Sequence, residues 1–283
     1  MIVSIGEVVW DIFPQRCVLG GAPVNVAYHL RSLGMEVAVV TRVGSDPLAG
    51  ETLLQLGALG LPLAGVQRDP GLPTGRVNIS IGDDNEPSFD IVAPAAWDAI
   101  AIEPAQALLG HAPFSLVFGS LAQRDERSRR TIRSLWPQAA ARFYDVNLRP
   151  PFTTPELVLE SLAVADLVKM NGDELALVGG WAGVGGDDKK MVAQRLLKKY
   201  NAKVAVVTEG GAGAWLITAD HCCVHPGFPT AVADTVGAGD AFFAALIEGY
   251  VKGRPWPESL ERANRRGSYV AGQSGATPPM PAR

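Results

Sequence analysis

The 283-residue sequence predicts an α/β fold: a mostly parallel central sheet with helices on both faces, plus a small β-hairpin. Three observations carry this. Short runs rich in Val and Ile recur along the chain, at residues 2–6, 37–43, 114–118, 142–146, 167–170 and 204–208. Segments of helical period lie between them, at residues 24–33, 50–59, 127–141 and 189–200. Continuous apolar strands that alternate with helices are the pattern of a parallel sheet covered on both sides. The third observation is an interruption. Residues 74–81 alternate with period two (Val77, Ile79 and Ile81 on one side), meet turn-forming residues at 82–86, and resume at 88–92. That is a hairpin inserted into an α/β chain, either an edge decoration or a lid over a site.

Length and composition fit one large α/β domain over residues 1–283, or a main domain with a small appendage, with 74–92 as the inserted hairpin that the family resemblance described below implies to be a lid. Hydrophobic residues make up 47% and charged residues 19% of the chain, and the formal net charge is -4. An acidic balance offers no basic stripe for nucleic acid. No apolar run has the roughly 18 residues of a membrane span. The opening Met1-Ile2-Val3-Ser4-Ile5-Gly6 has no basic leader and reads as a first strand. Three cysteines do not build a disulfide framework, so a cytoplasmic location is expected. His221-Cys222-Cys223-Val224-His225 crowds four ligand-type residues together, but adjacent cysteines do not share one tetrahedral ion easily. A short strand with free thiols is the expectation there. The run from Gly179 to Gly186 lacks the Gly-Lys-Ser/Thr of a phosphate loop and reads as a flexible connection.

The chemistry is concentrated in Asp234-Thr235-Val236-Gly237-Ala238-Gly239-Asp240. Small residues at Gly237, Ala238 and Gly239 precede an apolar helical pattern (Ala241, Phe242, Ala245, Leu246). A Gly-rich turn opening a helix presents unpaired N–H groups and the positive end of a dipole, which suits a phosphate or a developing negative charge. A carboxylate at Asp240 repels phosphate, so its chemical use is as a general base for an attacking hydroxyl. The same residue also reads as a plain helix N-terminal acid. A dinucleotide fingerprint is a further rival, although Phe242 stands where its third glycine belongs. Near the other end, Gly20-Gly21-Ala22-Pro23-Val24-Asn25 opens a second helix, and Asp11 follows the first strand. Such polar groups converge at the carboxyl edge of an open α/β sheet, where ligands bind.

These two regions, with Tyr144-Asp145-Val146-Asn147-Leu148-Arg149, Lys169-Met170-Asn171-Gly172-Asp173-Glu174 and Val207-Thr208-Glu209-Gly210-Gly211-Ala212-Gly213 in order between them, make the chain resemble the ribokinase-like, or PfkB, carbohydrate kinases over its whole length. The resemblance implies Asp240 as catalytic base, with an anion hole from the amides of Gly237, Ala238 and Gly239. It implies sugar contacts from Asp11, Gly21, Asn25, Asn147 and Arg149. Asn171, Thr208, Gly210, Gly213 and Asn264 fall on the ATP side, and Asn171 with Glu174 organises Mg²⁺ through water. Glu174 also reads as the capping-box partner of its own helix, and Asp145 as a strand-end residue. Gly275-Ala276 resembles the pair that closes a K⁺ region, here preceded by Gly272-Gln273-Ser274 instead of the more usual basic or apolar residues. A homodimer through the lid hairpin is a further implication. The opening Gly6-Glu7-Val8-Val9-Trp10-Asp11 and Ala96-Trp97-Asp98 are most similar to bacterial fructokinases, which makes a neutral hexose, fructose, the expected substrate. A kinase for ribose, 2-keto-3-deoxygluconate or another sugar, and a non-catalytic sugar or nucleotide sensor, are the competing readings.

Overall fold

The structure, a computed structural model, describes residues 1–13, 15–81, 87–110 and 112–281. Its strands in chain order are β1 (Ile2–Ile5), β2 (Val9–Ile12), β3 (Cys17–Gly20), β4 (Val37–Val43), β5 (Val66–Arg68), β6 (Gly75–Ile81), β7 (Pro87–Ile91), β8 (Ser115–Gly119), β9 (Ala141–Asp145), β10 (Leu167–Asn171), β11 (Val204–Thr208), β12 (Ala214–Ile217) and β13 (Cys222–His225). The helices are α1 (Ala22–Ser32), α2 (Pro47–Ala58), α3 (Ile102–Leu109), α4 (Glu126–Leu135), α5 (Pro155–Leu162), α6 (Gly172–Trp181), α7 (Lys189–Tyr200), α8 (Ala238–Val251) and α9 (Trp256–Ala271).

A nine-stranded sheet runs in the order β13-β12-β11-β10-β9-β8-β1-β4-β5. From β11 to β5 every neighbouring pair is parallel, while β12 and β13 add an antiparallel edge. Parallel strands all end at the same edge, which gathers the loops after β1, β9, β10 and β11 on one side of the molecule.

Side chains alternate across this sheet and build two cores. Val3, Ile5, Phe118, Tyr144, Val168 and Val207 pack with residues of α3 to α7 on one face. Ile2, Val39, Val117, Phe143, Leu167 and Val206 pack with α1, α2, α8 and α9 on the other. Helix α8 is apolar nearly all round, and Ala241 to Gly249 are buried without a break, as befits a helix enclosed by its neighbours.

The second sheet is larger than the hairpin expected from residues 74–92. β6 and β7 pair antiparallel, and β2 and β3 join them in the order β3-β2-β6-β7. The turn expected at 82–86 lies outside the described residues. Val9, Val77 and Ile79 meet Trp97 and Leu121 in a third small core that seats this sheet on the body.

Two expected boundaries change. The helix expected over 127–141 ends at Leu135, because Pro137 follows and the chain tightens into a short 3₁₀ turn before β9. The glycine-rich run at 179–186 is helical at its start, since Gly179, Gly180 and Trp181 complete α6. A side chain at Gly179 would meet Val192 of α7 at 2.6 Å, so close helix packing explains that glycine. Cys222 and Cys223 lie on the edge strand β13 as free thiols, as expected.

Candidate active site at the carboxyl edge of the sheet

Helix α8 opens as the Gly-rich sequence requires. Gly237 caps it with φ 76°, a left-handed conformation natural to glycine. A Cβ there would also lie 2.5 Å from both Cα and Cβ of Ala276, so backbone angle and space both demand glycine. The amide of Ala238 donates to Thr235 O at 3.2 Å. Asp234 braces the approach, accepting from Val236 N at 3.0 Å and Gly275 N at 3.1 Å.

Asp240 lies in the first turn of α8, half-buried, and Asn25 Nδ2 donates to its Oδ2 at 2.8 Å. Asn25 sits one turn into α1, whose entry requires Gly21. That residue has φ 116°, and a Cβ on it would fall 2.5 Å from Glu7 O. Desolvation first, and the charge of Asp145 second, push the Asp240 carboxyl up to about 6. The Asn25 hydrogen bond and the charges of Lys169 and Arg149 pull the other way.

Beneath the turn lies a buried ion pair. Lys169 Nζ of β10 bonds both oxygens of Asp145 of β9, at 2.8 and 3.0 Å. Burial works against its charge, but Asp145 outweighs burial, and the ammonium is held above the usual lysine value. A Cβ on Gly239 would stand 3.4 Å from this nitrogen, which places a fixed cation under the first turn of α8. Amides and helix dipole make the turn positive beside the Asp240 carboxylate, while the ammonium beneath it is balanced by Asp145.

Glu174 ties two loops together. Its Oε2 accepts from Asn171 N at 2.8 Å and its Oε1 from Leu148 N at 2.8 Å, while Asn171 Oδ1 accepts from Glu174 N at 2.8 Å. The capping-box reading and the proximity to Asn147 and Arg149 therefore hold together. No group of three or more His, Cys, Asp or Glu side chains able to cage a metal occurs among the described residues. A hard cation that keeps most of its waters, and completes its shell from phosphates, fits this donor set better than a protein cage would.

The other expected residues divide. Desolvation pushes the carboxyl of Asp11, on β2, up to about 6, and the charge of Arg149 opposes it. Asn147 has φ 38° and lines a small cavity with Glu7, Ser120 and Asp145. Thr208 ends β11 directly beside Asn171 of β10. Gly210 and Gly213 bound the turn that follows, where Glu209 N donates to Gly213 O at 2.8 Å. Asn264 stands apart. Its side chain is buried in α9 and donates to Leu260 O at 2.8 Å, so the structure turns it toward its own helix.

Three residues given no role by the sequence belong to the same cluster: Lys169, Asp145 and Glu7. Glu7 is 4% exposed, lies two residues beyond β1, and has an Oε2 without a hydrogen-bond partner among the described residues. Burial pushes its carboxyl up to about 7, aided by the charges of Asp240 and Asp145 and opposed by its own backbone amide and Arg149. A lysine inside the apolar run Leu167-Val168-Lys169-Met170 was the one legible signal, since an unpaired cation does not stay in a buried strand.

The fold is that of the ribokinase-like α/β class. The chain belongs to the pfkB family of carbohydrate kinases, whose domain matches residues 6–283. A fructokinase from Vibrio alginolyticus is 27% identical, over 98% of this chain and 94% of the relative. An aminoimidazole riboside kinase from Salmonella typhimurium is also 27% identical, over 98% and 91%. Among solved structures, the fructokinase of Vibrio cholerae with fructose, ADP and calcium ion superposes with a TM-score of 0.84 at 23% identity, covering 98% of this chain and 94% of that one. This last likeness carries the fold.

Proposed function

We propose that this sugar kinase transfers the γ-phosphate of ATP to a hydroxyl of a neutral hexose, with fructose as first choice. The observation that carries the reading is Asp240, held by Asn25 beside the open N-terminus of α8 with the Lys169 ammonium beneath it. Asp240 takes the proton of the acceptor hydroxyl. The hydroxyl oxygen then bonds to the γ-phosphorus as the bond to the β,γ-bridging oxygen breaks, and ADP leaves. Charge that develops on the transferring group meets the amides of Gly237 and Gly239; the Ala238 amide, expected to join them, is instead turned to Thr235 O, and the Lys169 ammonium lies beneath. Asp11, Gly21 and Asn25 hold the sugar, and Asn147 and Arg149 stand between sugar and phosphates. Thr208, Gly210 and Gly213 form the nucleotide side. Mg²⁺, when bound, neutralises phosphate charge, and Asn171 and Glu174 would hold its waters.

The sheet β3-β2-β6-β7 serves as the lid, with Asp11 on its inner strand. Closing it over the sugar excludes water from the reacting phosphoryl group. Relatives named fructokinase support the hexose. The equally similar riboside kinase supports a ribosyl substrate as the second reading.

A coupled ADP assay against fructose, glucose, ribose, 2-keto-3-deoxygluconate and several nucleosides, aminoimidazole riboside included, separates the two. Fructose-dependent, Mg²⁺-dependent ADP release is expected, and Asp240→Ala should lower it by about 10³-fold or more. Near-normal turnover in that variant would exclude Asp240 as the base. Tight sugar binding with no turnover across the panel would favour a sensor.

A further inference from the structure

Four residues beyond Asn25 on α1 stands His29, wholly buried at 0% exposure. Its Nε2 lies 2.9 Å from the carbonyl oxygen of Ala276, and its Nδ1 lies 3.1 Å from Nη2 of Arg266. A guanidinium only donates, so Nδ1 accepts, and the proton must sit on Nε2 and be donated to Ala276. Burial first and the Arg266 charge second drive the imidazole down to about 3, which keeps the ring neutral in this tautomer throughout the working range.

Ala276 is the residue that lies against Gly237 at the head of α8. The chain around it is tied at three more points. Gly275 N donates to Asp234 Oδ2 at 3.1 Å, Tyr28 Oη donates to Pro278 O at 2.7 Å, and Tyr269 Oη donates to Pro279 O at 2.9 Å. Residues 275–279 therefore form a strap, held by α1, α9 and the Asp234 turn, with Ala276 pressed onto the anion site. Positions four apart share one face of a helix. α1 thus presents Asn25 to Asp240 and, one turn later, His29 to the strap.

We propose that His29 is a positioning residue for phosphoryl transfer, fixing through Ala276 the wall of the anion site at Gly237. The proposal rests on the reading of residues 237–240 as the phosphoryl site. One rigid helix then sets both the base and the wall it works against, and misplacement of reacting groups by about 1 Å costs on the order of 10²-fold in rate. The imidazole is neutral and engages both its nitrogens with Ala276 and Arg266, so it moves no proton.

The test compares His29→Leu with His29→Gln, whose side-chain amide keeps a donor at the reach of Nε2. Two quantities are read on the full chain: the steady-state constants, and the hydrogen–deuterium exchange of the segment around 275–279. His29→Leu is expected to lower kcat by about tenfold to a hundredfold with the sugar KM within about twofold. The amides of Gly275, Ala276 and Thr277, the strap positions that carry an N–H, should exchange about tenfold faster or more, most clearly at Gly275, whose N–H is held by Asp234. His29→Gln should restore both to within a fewfold of the native protein. Unchanged strap exchange in His29→Leu overturns the proposal, and so does a loosened strap with unaltered kcat. If His29→Leu does not fold, Tyr28→Phe removes the neighbouring tie. Faster strap exchange with a fewfold loss of kcat is then expected, and His29→Asn, whose shorter amide does not reach Ala276, decides the role of His29: native strap exchange or native kcat in it overturns the proposal. Failure of the phosphoryl-site reading has a different signature, namely an active Asp240→Ala enzyme, which leaves the exchange result intact.

Discussion

The two ends of the same parallel sheet treat their carboxylates in opposite ways. At the amino end, Asp166 precedes β10 and accepts from Arg142 N and Nε, each at 2.9 Å, with Lys203 Nζ also at 2.8 Å. Burial acts against its charge, but these partners outweigh burial and hold the carboxyl below its usual value. At the carboxyl end, Asp145 and Glu174 are fully partnered, but Glu7 and Asp240, with Asp11 of the small second sheet, are desolvated with too few partners, and all three are pushed up to between about 6 and about 7. A fully partnered carboxylate stabilises the fold and has no proton affinity to spare. An under-partnered one costs stability and can accept a proton near neutral pH. Reactivity in this chain is therefore written in which carboxylates lack partners, more than in which are buried.

The sharpest challenge to that contrast is Lys169→Met, which leaves Asp145 without its ion pair and the α8 turn without its cation. Turnover should fall by about 10²-fold, measured at saturating sugar and ATP. A loss of only a fewfold would mean that the amides of α8 carry the anion site alone. Next comes pH. Asp240 must be ionised to act as base, so kcat/KM should fall about tenfold per unit as pH drops below about 6. A profile flat down to pH 5 would contradict the raised carboxyl.

Stability gives the smaller effects, with opposite signs at the two ends. Glu7 has a folded pKa raised from 4.5 to about 7. Its protonated form favours the fold below about pH 4.5, and that contribution is lost as pH rises through 7. Glu7→Gln should therefore unfold later than the native protein at pH 8, by an amount on the order of 3 kcal/mol, and about equally at pH 4. Asp166→Asn should do the reverse. The depressed carboxyl contributes above its unfolded value, so the variant is expected to lose about 1–2 kcal/mol at pH 7, and less at pH 3. Denaturant titrations at the two pH values decide both. The same sign for both variants at neutral pH would dissolve the comparison.

Much of the fold was legible because its signals are local. Apolar strands such as Val37–Val43 and the capped entry of α6 at Asn171 depend on neighbours in sequence, and they fall where expected. The small sheet was read only in part. β6 and β7 form a hairpin with period two, whereas β2 pairs in parallel with β6 across more than sixty residues, which no local pattern encodes. The site shows the same division. Asp240 stands in a motif to which the family resemblance assigns a chemical role, but two partners in its surroundings, Asn25 and Lys169, lie far away along the chain.

The sequence alone determined the alternation of apolar strands and helices, the glycine-rich opening of α8 and the carboxylate placed in its first turn. Each follows from steric and hydrogen-bonding rules that act over a few residues. Tertiary structure alone decided which carboxylates were left short of partners, that Lys169 stands under Gly239, that Asn264 turns inward, and that Ala276 presses on Gly237. Burial and long-range pairing set these, and both exist only once parallel strands have brought distant loops to a common edge.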